Sequence, residues 1–118
     1  MNRRRRVPID RAAPLFAALG DETRLAIVAR LVNRGPQSIR RLAEGVPVSR
    51  QAVTKHLHTL AAAGLASSRR RGRERVWELR PERLAEAREH LDRISSQWDA
   101  ALQRLRSIVE SDEDHVRA

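Results

Sequence analysis

Leu84, Ala87, Leu91, Ile94, Trp98, Ala101, Leu105 and Ile108 follow one another at alternating steps of three and four residues, without a miss. Only an α-helix brings that spacing to one face, and the run forms two interleaved seven-residue repeats over roughly three and a half heptads. An apolar stripe so narrow cannot be the core of anything alone; it needs a second helical surface. Residues 81–110 therefore read as one long helix, opened by Pro81 where a missing N–H does least harm, that needs a packing partner. The acidic residues 111–118 beyond it read as a frayed tail.

The remaining residues must supply the body of the fold. A chain of 118 residues suits one domain and buries enough surface for a true core. There is no cysteine, which excludes disulfides and thiolate metal sites and fits a reducing compartment. No run approaches the roughly 18 apolar residues of a membrane span. The basic start MNRRRRVPID lacks the apolar stretch of a secretory signal, so a cytoplasmic protein with no membrane partner is expected. The formal net charge of +9 is uneven: residues 1–80 carry 18 basic and 6 acidic side chains, residues 81–118 carry 6 and 9. A basic first two-thirds points to a polyanionic partner.

Local signals divide residues 10–80 into short elements. Residues 1–9 read as a disordered basic arm, in which residues 3–6 suit a minor-groove arm and an unspecific basic tail equally well. Residues 10–19 form a short helix with Leu15, Phe16 and Leu19 at helical spacing, Pro14 in its first turn and Gly20 as its end. Asp21 supplies the N-cap of a second helix, with Leu25, Val28, Leu31 and Val32 on one face and Gly35–Pro36 as its stop. Ser38 caps a third helix carrying Ile39, Leu42 and Ala43. After the turn EGVPV at 44–48, Ser49 caps a fourth, whose Val53, Leu57 and Leu60 form one stripe. Gly64 suits a left-handed C′ position there, followed by the contact of Leu65.

The other face of that fourth helix carries Gln51, Thr54, Lys55 and His58 near its N-terminal half. Two capped helices joined by a short turn make a helix-turn-helix, and a second helix of this kind enters the DNA major groove, where side chains that donate and accept read base edges. Gln51 can pair with adenine through two bonds, Thr54 can bond or touch a thymine methyl, Lys55 suits guanine or phosphate, and His58 either. Ser49 and Arg50 sit at the helix N-terminus, whose N–H groups attract phosphate. A merely solvated polar face is the bland alternative; the preceding helix and the basic segment that follows argue against it. His56, beside the apolar stripe, reads as packed or phosphate-touching, and Ser38 and Arg69 are further candidates for phosphate contact.

Residues 67–79, SSRRRGRERVWEL, read as a β-hairpin turning at Gly72, with Arg75, Trp77 and Leu79 on one side. Alternation sends its arginines to opposite faces, so Arg71, Gly72 and Arg73 at the tip are the choice for the minor groove or its phosphates. The other hairpin arginines suit pairing with Glu74 or Glu78, or tracking the DNA backbone.

LFAALGDETRLAIVARL (15–31), SIRRLAEGVPVSRQAVTKHLHTLAAAGL (38–65) and RRRGRERVWEL (69–79) together resemble the ArsR/SmtB family of bacterial transcriptional regulators, over about two-thirds of the chain. The resemblance implies a mainly α winged helix-turn-helix with a small β-hairpin and helical dimerisation elements at both ends. It implies a homodimer that represses by binding double-stranded DNA at a palindromic operator, with 50–63 as the reading helix and Gly72–Arg73 as the wing tip. The dimer would use Leu15, Phe16 and Leu19 of the first helix and Leu84, Leu91, Ile94, Trp98, Ala101, Leu105 and Ile108 of the last. Founding members of the family sense metals through cysteines in the helix matching 38–45, and SIRRLAEGV has none. Glu86 and His90 alone could imitate the family's other metal site, and zinc wants three or four ligands. No metal and no cofactor is expected.

Two rival functions use the same features. An RNA-binding module would stack bases on aromatic side chains, and the chain has one Phe, two Trp and no Tyr. A protein-interaction adapter would use the heptad helix and keep the winged helix for packing. An enzyme is not expected: no thiol nucleophile, glycine-rich phosphate loop, HExxH motif or apolar carboxylate pair is present.

Overall fold

The computed structural model describes residues 9–117, with α1 (Ile9–Leu19), α2 (Glu22–Arg34), β1 (Gln37–Ser38), α3 (Ile39–Glu44), α4 (Arg50–Ala62), β2 (Ala66–Arg71), β3 (Glu74–Leu79) and α5 (Pro81–Arg117) in chain order. The basic run at 3–6 lies outside the described residues. Cap chemistry starts the helices where local sequence demands. Asp21 accepts from the Arg24 amide at 3.0 Å, Ser38 from Arg41 at 3.3 Å and Ser49 from Ala52 at 3.1 Å. Each bond satisfies one of the amides that a helix start leaves without an intrahelical partner. At the end of α4, Gly64 takes φ +77°, its N–H reaches the Ala61 carbonyl, and the Leu65 N–H reaches that of Leu60. That is the paired closure of a Schellman end.

Three local expectations change. Pro14 lies inside α1, in its second turn rather than its first, so the carbonyl four residues before it loses a helical partner. The buried face of α2 is Ile27, Val28 and Leu31, while Leu25 and Val32 are 52% and 62% exposed. Neighbours on α2's inner side, namely α1, α4 and β3, rotate the helix relative to the stripe drawn from spacing alone. Finally, α5 runs on to Arg117, so the acidic residues after 110 continue the helix instead of leaving it.

The hairpin β2–β3 gains a third strand that its own sequence does not announce. β1 pairs antiparallel with β3, Gln37 opposite Trp77 and Ser38 opposite Val76, giving the sheet order β1-β3-β2. Strand alternation then sends Trp77 into the core while Val76, also buried, lies on the opposite face. Two residues, Gly72 and Arg73, connect β2 to β3, with Arg71 opposite Glu74. Only Gly72 has positive φ, +65°, the signature of a type II′ turn.

One core joins these pieces: Leu15 and Ala18 of α1, Ile27, Val28 and Leu31 of α2, Leu42 of α3, Val53, Leu57 and Leu60 of α4, then Leu65, Trp77 and Ala87. Leu15, read above as a dimer contact, is 0% exposed within this core; Phe16 and Leu19, its companions in that reading, are partly at the surface. Beyond His90, α5 leaves the body. Its 37 residues extend about 55 Å at 1.5 Å each, and the molecule is 77 Å long with a radius of gyration of 20.7 Å. A compact chain of this length would have about 13.5 Å.

Candidate nucleic-acid interface

Val53, Leu57 and Leu60 hold α4 against the core, all three fully buried. Their spacing leaves Arg50, Gln51, Lys55 and His58 on the exposed side, with Thr54 half-buried between them. Ser49 is exposed and caps the start of this row. Arg50 and Lys55 make no ion pair among the described residues. Two cations and an amide thus stand side by side without a side-chain partner among the described residues.

Two members of the row are more constrained than their sequence suggests. The Thr54 hydroxyl donates to the Arg50 carbonyl at 2.9 Å. The His58 ring meets Trp77 edge to face, centroids 5.6 Å apart and planes at 87°, a favoured aromatic geometry. α4 is thereby braced against β3, and nothing in the spacing of α4 signals it because Trp77 comes 19 positions later.

Wing and helix present charge on the same terms. Arg71 and Arg73 flank the Gly72 turn, are exposed, and have no ion-pair partner among the described residues. Arg69 is different: its Nε lies 3.8 Å from Glu78 Oε1, and Arg75 donates to Ser68 Oγ at 3.0 Å. Of the arginine cluster, Arg70 and the tip pair stand exposed without an ion-pair partner among the described residues, and the tip pair alone flanks the turn.

Two of the phosphate-contact candidates have polar atoms engaged inside the protomer. Ser38 is 8% exposed and its oxygen is engaged as the α3 cap. His56 faces α2: its Nδ1 lies 3.2 Å from an Arg24 guanidinium nitrogen and 3.9 Å from Asp21 Oδ2. Arg24 also donates to the Ala18 carbonyl at 2.6 Å and the Ala17 carbonyl at 3.4 Å. One guanidinium therefore ties the end of α1, the start of α2 and α4 together. The Arg24 backbone N–H, followed by the charges of Arg24 and His56, holds the Asp21 carboxyl below its ordinary range. No local pattern singles out Arg24, since an arginine in the first turn of a helix ordinarily lies in solvent.

At the far end of the molecule, Glu86 takes both Arg11, at 3.2 Å, and Arg83 as partners, while the His90 ring lies 5.6 Å from Phe16. Among the described residues no three His, Cys, Asp or Glu side chains gather as a metal ion would need, and no helix is long and apolar enough to cross a membrane. The heptad row is uncovered: Leu91, Ile94, Leu105 and Ile108 are about half exposed or more, and Trp98 is 66% exposed. Leu84 is partly buried against the core and Ala101 is half-buried. Leu102 and Val109, off that row, are exposed as well, so the distal half of α5 has a wider apolar face than its proximal half.

A family model described as a helix-turn-helix domain matches residues 19–69. The HTH-type transcriptional regulator Rv2034 of Mycobacterium tuberculosis is 43% identical over 99 residues, covering 84% of this chain and 89% of its own. The solved structure of an ArsR-like transcriptional regulator from Rhodococcus sp. RHA1 superposes with a TM-score of 0.71 at 41% identity, over 85% of this chain and 93% of that one. The chain belongs to the ArsR/SmtB family. It is similar also to the HTH-type transcriptional repressor SmtB of M. tuberculosis, 34% identical over 77 residues that make up 65% of this chain and 56% of SmtB. As a member of that family it is a DNA-binding transcriptional regulator, and the proteins it matches are regulators, not enzymes. Its sheet is the wing of a winged helix, and α3–α4 is the helix-turn-helix.

Proposed function

We propose that this regulator is a homodimeric repressor that docks its two α4 helices into successive major grooves, about 34 Å apart, of a palindromic operator. The observation that carries the proposal is the pairing of two uncommitted surfaces on one chain. Polar and cationic side chains of α4 and the wing tip want an anion, and an apolar row on α5 wants a helix. Gln51, Thr54 and His58 bias base choice, with Lys55 on guanine or phosphate. Ser49, Arg50, Arg71 and Arg73 hold register through phosphate, Arg69 contributing after release from Glu78.

The dimer would bury Phe16 and Leu19 of α1 with Leu84, Leu91, Ile94, Trp98, Ala101, Leu105 and Ile108 of α5. The wider distal face suits contact with two helices at once, since a two-helix seam needs only the heptad row whereas a core-facing helix uses a broader stripe. A repressor reading fits the likeness to the SmtB repressor, because a dimer seated across a promoter excludes polymerase.

Selection of fragments from a random duplex pool tests the proposal. The purified protein should enrich a two-fold symmetric sequence, and Gln51→Ala should relax one position per half-site at a cost of about 1–3 kcal/mol. Enrichment of asymmetric sites, or an unchanged profile for the Gln51 variant, would overturn it.

A further inference from the structure

Thr54 differs from Gln51, Lys55 and His58, the other candidate base readers, in that its proton is already used. Oγ1 donates to the Arg50 carbonyl at 2.9 Å, the back-bond that a helical threonine makes to the carbonyl four residues earlier. A hydroxyl has one proton and two lone pairs, so what it still offers outward is acceptor capacity. With Oγ1 turned to Arg50, the staggered arrangement about Cα–Cβ also sets the position of the methyl Cγ2. No carboxylate stands among Arg50, Gln51, Lys55 and His58 to draw the proton away.

A base pair that fits such a side chain must donate to an oxygen and accept apolar contact beside it. In the major groove adenine donates through N6, cytosine through N4, thymine alone carries a methyl, and guanine shows two acceptors, N7 and O6. An A·T pair supplies the donor and the methyl together. A G·C pair supplies a donor, no methyl, and two acceptors that face the Thr54 lone pairs.

We infer that Thr54 is a specificity determinant that selects an A·T pair, its oxygen accepting from adenine N6 and its methyl packing on that of thymine, with guanine refused. The inference rests on α4 reading bases as proposed above, and adds which pair one residue reads and why.

Thr54→Val keeps the methyl and removes the acceptor; Thr54→Ser keeps the hydroxyl and removes the methyl. Selection from a random duplex pool with the full-length protein identifies the position whose preference changes in the valine variant; wild type should hold A·T there. Uracil is then placed for thymine at that position, and affinities are measured by fluorescence anisotropy at one salt concentration. Wild type and Thr54→Val should lose about fourfold per half-site, the worth of one buried carbon, and Thr54→Ser nothing. A wild-type preference for G·C there, no position altered by the valine variant, or an equal uracil loss for serine and wild type would overturn the inference while base reading stands. A wild type that enriches no sequence at all overturns base reading and this inference together.

Discussion

Replacing Trp98 by alanine separates association from folding, because Trp98 is 66% exposed in the protomer. A tryptophan side chain buries about 150–250 Å² when fully covered, so a partner helix has roughly 100–165 Å² left to cover on each copy. At about 25 cal/mol per Å² that is ~2.5–4 kcal/mol per protomer. A dimer contains the residue twice, giving an upper figure of ~5–8 kcal/mol before the loss is discounted for incomplete burial and repacking. Even half of that raises the dimer dissociation constant by a factor of about 60–700, at 1.4 kcal/mol for each tenfold. Sedimentation velocity over a concentration series reads the constant directly. Far-ultraviolet circular dichroism at high protein concentration should show the helix content of the wild type, since Trp98 contributes little to the protomer's own core. DNA affinity should fall with the dimer fraction and recover as protein concentration rises. A Trp98→Ala protein whose dissociation constant stays within threefold of wild type would show that the seam on α5 lies elsewhere.

Other perturbations probe the remaining joints. Replacing Arg71 and Arg73 by alanine should flatten the dependence of log affinity on log salt by about 0.9 for each phosphate no longer neutralised, without altering the selected sequence; an unchanged slope would take the wing tip off the phosphates. Gly64→Ala forces a side chain into φ +77° with its Cβ 2.9 Å from Arg83 Nε, so urea denaturation should show a loss of about 1–2 kcal/mol, and an unmoved midpoint would contradict the strain argument. Asp21 titrates below its ordinary value because the Arg24 amide and neighbouring positive charge favour its ionised form. Its stabilising effect is therefore present above the unfolded pKa of about 4 and disappears as pH falls through the lower folded value. Asn caps about as well as Asp, so the stability gap between wild type and Asp21→Asn should close in acid below about pH 4; urea titrations showing a gap that stays constant or widens would refute this.

Sequence alone settled whatever depends on a few neighbouring residues. Asp21, Ser38 and Ser49 start helices because a short side-chain oxygen finds an amide three residues on, and that geometry needs no tertiary partner. Gly72 turns the wing and Gly64 closes α4 because a positive φ is a property of one residue. The heptad spacing of α5 and the polar row of α4 were legible for the same reason, being periodicities of a single helix. Tertiary structure decided the rest. β1 exists only because Gln37 meets Trp77, 40 positions away. The face of α2 turned inward, exposing Leu25 and Val32, since its neighbours rather than its own pattern chose the phase. Leu15 went to the protomer's core and Ser38 into the sheet, where its hydroxyl caps α3. Arg24 reached two carbonyls of α1 and the ring of His56, and Trp77 came to rest against His58. These contacts join residues far apart in the chain, and their energy depends on distances that only the packed fold defines.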